Sequence, residues 1–538
     1  MKKIIFPLLV LLLNACTLKP EVDSIVINAN VYTVNANFDT IEAFAIKDGR
    51  IIDTGTSLEI ESKYRAKYIN NAKGNTIVPG LIDAHCHFYG LGLQQQKVDL
   101  NGTKSFEEVL DRIVAFQKKN KVSFITGRGW DQNDWEVKEF PTKDKLDKLF
   151  PDTPVVVRRI DGHALLANQA AIDLAGITTK TTFTGGDIIQ KDGKLTGIFI
   201  DNPMELIEKS IPKPSKQEQI QALKTAERIN FVYGLTTVDD AGLSRETIEL
   251  IDSLQQIGAL KIRIYAMVTA NDQSIDYYTK RGIIKTDRLN VRSFKIYADG
   301  ALGSRGAALK DAYSDQQDHY GTLLTPIDKI KEYAQKIAQS DYQMNAHAIG
   351  DSANYVMLKT YTEALKGKKN RRWRIEHAQV IDPEDFHYFE NILPSVQPTH
   401  ATSDMYWAKD RLGSERLKSA YAYKTLLKQY GKIALGTDYP IENVNPILTF
   451  FAAVTRKDLK DFPKNGFQPE NALSRKEALK GMTIWAAYAN FEEDEKGSIE
   501  VGKLADFTVL NKDIMTLDYT EIPGIKILET YINGERVN

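Results

Sequence analysis

Histidine and cysteine are scarce in this chain, and neither sign of charge prevails. Its 538 residues hold 8 histidines and 2 cysteines, and the formal net charge is −1. Without a basic excess there is no electrostatic footprint for nucleic acid, so none is expected as a partner. Two cysteines allow at most one disulfide. No low-complexity run or short-period repeat breaks the chain, which removes solenoids and arrays from consideration. The apolar run from Ile4 to Leu13 is too short to span a bilayer as a helix. The length suits one large domain with a smaller one, or several small domains, and can bury a sizeable core.

With so few histidines, two at close spacing are informative. Leu81 to Gly90 reads LIDAHCHFYG. It begins as a short apolar strand, and side chains alternate faces along a strand. His85 and His87 therefore point one way and Cys86 the other. Two imidazoles on one face of a strand end can grip one metal ion. The longer string TIVPGLIDAHCH, residues 76–87, resembles the metal-binding first strand of the amidohydrolase superfamily. That resemblance implies a metal-dependent hydrolase on a (β/α)8, TIM-like barrel.

The N-terminus is expected to lie outside the fold. Lys2 and Lys3 precede the apolar run, and Ala15 stands before Cys16, the pattern of a secretory signal. Leu13-Asn14-Ala15-Cys16 resembles a bacterial lipobox, which implies cleavage after residue 15 and a lipid on Cys16. The alternative is an ordinary signal peptide cleaved nearby. Thr17 rather than Asp follows the cysteine, so no inner-membrane retention signal is evident and an outer membrane is favoured where there are two. The expectation is an exported protein anchored through Cys16, at the periplasmic face or the cell surface. Lipidation would use Cys16 and Cys86 lies on the buried side of its strand, so no disulfide is expected.

Within a first segment of 16–78, residues from about 24 to 75 alternate like short strands, with Gly49 and Gly55 as turns. Residues 491–538 have the same character, and GSIEVGKLADFTVL (497–510) resembles the family's closing motif. The resemblance implies that both termini build one small β-sandwich beside a barrel spanning 79–490. An insertion of about residues 95–230 follows the first barrel strand. Within it, Ser105-x-x-Glu108 and Ser215-x-x-Glu218 read as capping boxes, the first opening a helix with Phe106, Val109, Leu110, Ile113 and Val114 on one face. FITGRGWDQNDW, TPVVVRRIDGHALLANQAA and GKLTGIFIDNP resemble the superfamily branch that includes N-substituted formamide deformylases, where this stretch lines the substrate site. Trp130, Asp131, Asp161 and His163 are the implied pocket candidates. A lone histidine such as His163 is as readily a structural hydrogen-bonder.

After Gly234 the strand and helix patterns alternate, which argues for a parallel sheet. Eight strand strings end in polar residues, and barrels carry their chemistry at the C-terminal strand ends. Those ends supply His85 and His87, then Lys295, His347, His377 and Asp438, an order that resembles the family's binuclear pattern. Imidazoles suit zinc and similar ions. By resemblance, His85, His87 and Asp438 would hold the more buried of two divalent ions, with zinc the expected metal, and His347 and His377 the more exposed one. A protonated lysine cannot ligate a cation. The family's matching lysine is carboxylated, so Lys295 would bridge the two ions as a carbamate. The alternative is Lys295 as a salt-bridge partner of Asp299 or Asp438, leaving a one-metal site. Asp299, Ser304, Arg305 and His400 match further motifs of the branch and are candidates for the substrate pocket. His319 and His387 read as surface or packing residues.

The expected activity is cleavage of a non-peptide C–N bond in a small amide, most simply an N-substituted formamide. Two close cations would acidify a shared water, and Asp438 would pass the proton from that nucleophile to the leaving nitrogen. Ester hydrolysis or deamination on the same barrel is the alternative within enzymes, and a non-catalytic substrate-binding lipoprotein the alternative outside them. A homodimer is compatible with such barrels.

Overall fold

The computed structural model describes residues 19–159, 164–182, 186–201, 203–368 and 370–538. Two compact units emerge, one of Met1–His87 with Glu227–Asn538 and one of Phe88–Ala226. Among the described residues no helix is long and apolar enough to cross a membrane.

The first unit is built on eight parallel strands: β1 (Leu81–Cys86), β2 (Leu235–Leu243), β3 (Arg263–Thr269), β4 (Leu289–Tyr297), β5 (Gln343–Ala348), β6 (Arg374–His377), β7 (Leu393–Val396) and β8 (Ala434–Leu435). Each pairs in parallel with the next, from β1 to β8. Most of their residues are buried on both faces, as expected where crossover helices cover a parallel sheet. The connections carry such helices, among them Arg245–Gln256, Ile327–Ala338 and Asp351–Leu365. This is the nearly closed (β/α)8 barrel that the strand-and-helix rhythm implied.

Both ends of the chain meet beside it. A six-stranded sheet joins Asn30–Tyr32, Thr40–Ile41 and Thr76–Pro79 on one side to Phe507–Leu510, Ile527–Ile532 and Glu535–Arg536 on the other. The strand Thr76–Pro79 runs antiparallel to Phe507–Leu510, with Ile77 opposite Val509, and leads through Gly80 into β1. A four-stranded sheet containing Glu21–Ile27 and Ala43–Lys47 supplies Val26, Phe44 and Ile46 to a core shared with Ile77, Phe507 and Val509. Phe44 and Phe507 meet edge to face at 5.2 Å, a favourable aromatic geometry. The strand that leads to His85 and His87 is thus held at its N-terminal end by the sandwich.

The second unit has its own six-stranded sheet and a core that includes Val98, Ile113, Trp130, Leu146, Val155 and Ile198. The helix Phe106–Asn120 starts at Ser105, whose hydroxyl accepts the Glu108 N–H at 3.1 Å. Its reciprocal arm differs from a capping box: the Glu108 carboxylate takes the N–H of Lys104 at 2.8 Å. Val109, Leu110 and Ile113 are its buried face. At Ser215 both arms form, with Glu218 accepting the Ser215 N–H at 2.7 Å and Ser215 accepting that of Glu218 at 3.3 Å.

Candidate metal centre

Parallel pairing sets the strand-end residues side by side. Lys295 on β4 lies opposite Asn345 on β5, Tyr297 opposite His347, and Ala348 opposite His377 on β6. Alternation along β6 would send Glu376 and His377 to opposite faces. Both nevertheless reach His85: a Glu376 carboxylate oxygen lies 2.7 Å from His85 Nδ1, and the His377 ring lies 4.8 Å from the His85 ring. A φ of +73° at His377 breaks the alternation and turns its ring inward. Asp438, three residues beyond β8, is also left-handed, with φ of +61°. Such conformations cost on the order of 1–3 kcal/mol in non-glycine residues and persist only where the surroundings enforce them.

Asp438 is the hub. Its Oδ1 lies 3.3 Å from His87 Nε2 and 3.6 Å from His85 Nε2, and its Oδ2 lies 3.6 Å from His400 Nε2. Two sets of potential ligands result, His85, His87 and Asp438, and His377, His400 and Asp438, with the ligand atoms of each within 4.8 Å of one another. The His347 ring lies 4.5 Å from that of His377. Lys295 Nζ lies 3.3 Å from His85 Nε2. Among the described residues Lys295 forms no ion pair with Asp438 or Asp299, whereas the buried atoms Asp438 Oδ1 and His400 Nε2 make no hydrogen bond of proper geometry. Buried polar atoms without partners are costly, and a nitrogen and oxygen donor set of this kind fits a divalent cation.

The electrostatics agree with that fit. Burial pushes His85 and His377 well below the ordinary histidine value, with Lys295 adding to the shift at His85 and His347 adding at His377. Burial and then Lys295 lower His347 to about 3. All three are therefore neutral at neutral pH, the form that ligates. Burial also lowers Lys295, although Glu376, Asp438 and Asp240 oppose it. For Asp438, burial acts upward, but His87, His400 and Lys295 more than offset it, and the carboxyl is held below its ordinary range.

A second layer fixes the rings. Glu376 holds His85, and Gln397 Oε1 lies 2.7 Å from His377 Nδ1. Ligand imidazoles are commonly oriented through their second nitrogen in this way. Glu376 stands 3.9 Å from Arg374, which donates to Asp239 at 2.9 Å, and Asn490 donates to the same carboxylate at 2.6 Å.

Comparison with known proteins agrees with this geometry. The model of the Amidohydrolase family matches residues 69–538. The chain belongs to the amidohydrolase family. The Bacillus subtilis protein YtcJ, named as an amidohydrolase, is 32% identical over 94% of this chain and 98% of its own. An N-substituted formamide deformylase of Arthrobacter pascens is 24% identical over 95% of this chain and 97% of its own. The crystal structure of a metal-dependent hydrolase from Pyrococcus furiosus superposes with a TM-score of 0.78 at 27% identity, covering 92% of this chain and all of that one.

The fold brings His85, His87, Lys295, His347, His377 and Asp438 of this amidohydrolase to one place. His400, expected in the pocket wall, joins the ligand cluster from the helix Pro398–Asp404. One pocket expectation is corrected, that for Trp130, and the structure places the other candidates as follows. Trp130 is fully buried in the second unit's core, its Nε1 donating to the Val157 carbonyl at 2.9 Å, because a large apolar ring there packs on Trp135. Asp299 accepts the N–H groups of Ala308, Ile349 and Gly350 at 2.8–3.0 Å, so its carboxylate ties the loop after β4 to the loop after β5. Arg305 is engaged by Asp315 at 2.8 Å. Asp131 pairs with Arg159 at 2.5 Å. Asp161, His163 and Cys16 lie outside the described residues. His319 and His387 make local contacts to the carbonyls of Arg305 and Glu384.

Glu376, Gln397, Arg374 and Asp239 were missed. A carboxylate directly before His377 was the available signal for Glu376, but strand alternation argued against it. In metal-free protein the His347 ring should stay neutral down to about pH 3. A residue-resolved NMR titration checks this, and a midpoint near the ordinary 6.5 would contradict the burial account.

Proposed function

We propose that this amidohydrolase cleaves a C–N bond other than a peptide bond in a small N-substituted amide, with N-substituted formamides the first class to try. The observation that carries the reading is the Asp438 carboxylate, buried, held ionised and common to both ligand sets. The full-length similarity to a protein named as an N-substituted formamide deformylase supports the substrate class.

His85, His87, His377, His400 and Asp438 would hold divalent ions, zinc being the metal best suited to the set, with His347 beside them. Such ions supply Lewis acidity and an acidified water. Asp438 takes the proton of the attacking water at a carboxylate oxygen and returns it to the departing nitrogen. That return matters because an amide nitrogen leaves poorly until it is protonated. Lys295, pushed towards its neutral amine by burial, is set to add carbon dioxide at Nζ with loss of a proton. The product is an anionic carbamate in place of a cation that would repel metal.

Export and a lipid anchor on Cys16 remain part of the proposal, supported by the LNAC string alone. Mass spectrometry of the mature protein should find an acylated Cys16 at the N-terminus. An unmodified terminus elsewhere would remove the anchor.

Asp438→Asn should lower formate release from N-substituted formamides by about 100-fold or more while retaining part of the metal. Unchanged turnover would contradict the proton role. Lys295→Ala should lose metal and regain part of it with short carboxylic acids. Full metal occupancy without such rescue would contradict the carbamate.

A further inference from the structure

The barrel ladder stops short of closing. β8 is 2 residues long, and among the described residues no ladder pair joins it to β1. The residues just beyond β8 are laid against β1 by other means. Asp438 N–H donates to the His85 carbonyl at 2.8 Å, and His87 N–H donates to the Tyr439 carbonyl at 2.8 Å. One residue upstream of these bonds along the seam, the buried Asp83 side chain makes further contacts. Its Oδ1 accepts the N–H of Thr437 at 3.0 Å and that of His85 at 3.2 Å. Its Oδ2 accepts the Thr437 hydroxyl at 2.7 Å. The Thr437 oxygen in turn accepts the Tyr439 N–H at 3.0 Å. Gly436 leaves room for this approach: a Cβ there would lie 2.5 Å from His85 N and 2.9 Å from Asp83 Oδ1.

We propose that Asp83 and Thr437 form a positioning latch across the barrel seam, which sets the Asp438 carboxylate against His85 and His87. Neither side chain contacts a ligand side chain, and Asp83 reaches His85 through its backbone N–H. Asp83 is two residues before His85, and Thr437 is one before Asp438. Their carboxylate–hydroxyl contact spans the only neighbouring strand pair that lacks a ladder among the described residues. Elsewhere in the barrel, backbone pairing fixes one ligand strand against the next. Here a two-residue strand forms no such ladder, and the Asp83–Thr437 contacts add to the two backbone bonds that Asp438 and His87 make across the seam. The latch thus replaces the missing ladder at the point where three ligand groups must converge. The inference rests on the metal-binding reading of those groups.

Thr437→Val tests it, because valine keeps the shape and removes the hydroxyl. Thr437→Ser keeps the hydroxyl and serves as the rescue. Asp83→Ala removes three contacts at once and is avoided because it can fail to fold. Each full-length protein is purified with zinc, and zinc release to excess chelator is followed in time, with thermal unfolding of the metal-free forms in parallel. Thr437→Val should release zinc about tenfold faster or more, as when an outer-shell partner of a metal ligand is lost. Thr437→Ser should release it at close to the wild-type rate, and the metal-free forms of both variants should melt together. Wild-type release from Thr437→Val would overturn the latch. So would a release rate that merely follows a loss of metal-free stability, since that is a general structural role. A wild-type protein that holds no zinc would instead overturn the metal reading beneath it, which the control arm reports separately.

Discussion

A single buried carboxylate sets the terms for the rest of this molecule. Asp438 lies away from water beside His85, His87 and His400, with no hydrogen bond of proper geometry at Oδ1 and a left-handed backbone. Taking an ionised carboxylate out of water is expensive unless charge or hydrogen bonds replace its hydration. Burial has made His85, His347 and His377 neutral, so these three do not supply that charge as imidazolium ions. The arrangement is stable and sensible when a cation occupies the space between these groups. The ligand chemistry, the orphaned atoms and the family membership all meet on that point.

Holding the cluster requires an unusual barrel interior. Such interiors are usually filled with branched apolar side chains. Here Asp239, Arg374, Glu376 and Asn490 form a buried polar chain that ends on His85. Burial raises Glu376 to about 7 and Asp239 to about 6, with Arg374 opposing both shifts. This polar chain is held by the bonds of Arg374 and Asn490 to Asp239, while Glu376 reaches Arg374 only at 3.9 Å and its Oε1 makes no hydrogen bond of proper geometry. It orients His85 from below while Gln397 orients His377. The sandwich contributes at the far end of β1, where Thr76–Pro79 is clasped by Phe507–Leu510.

Much of this was legible in the sequence, for identifiable reasons. His85 and His87 could be placed on one face because strand alternation is strict. The ligand order could be read because the polar residues at successive strand ends resemble the family's binuclear pattern. Glu376 could not be read: alternation pointed it away from His377, and only the positive φ at His377 reconciles the two. Trp130 misled for a related reason. A tryptophan in a motif looks functional, whereas tertiary packing used this one as core. His400 was noticed, but a helix after β7 carries it further into the cluster than a loop would suggest. The Ser105 cap shows the same limit on a small scale, since Glu108 chose the neighbouring N–H of Lys104.

The most direct measurement is the metal content per chain of wild-type protein purified with zinc and without chelators, by elemental analysis. With Asp438 shared between two ligand sets, the account predicts about two divalent ions per chain, by analogy with two-metal hydrolytic sites. A chain that holds none under these conditions would contradict it.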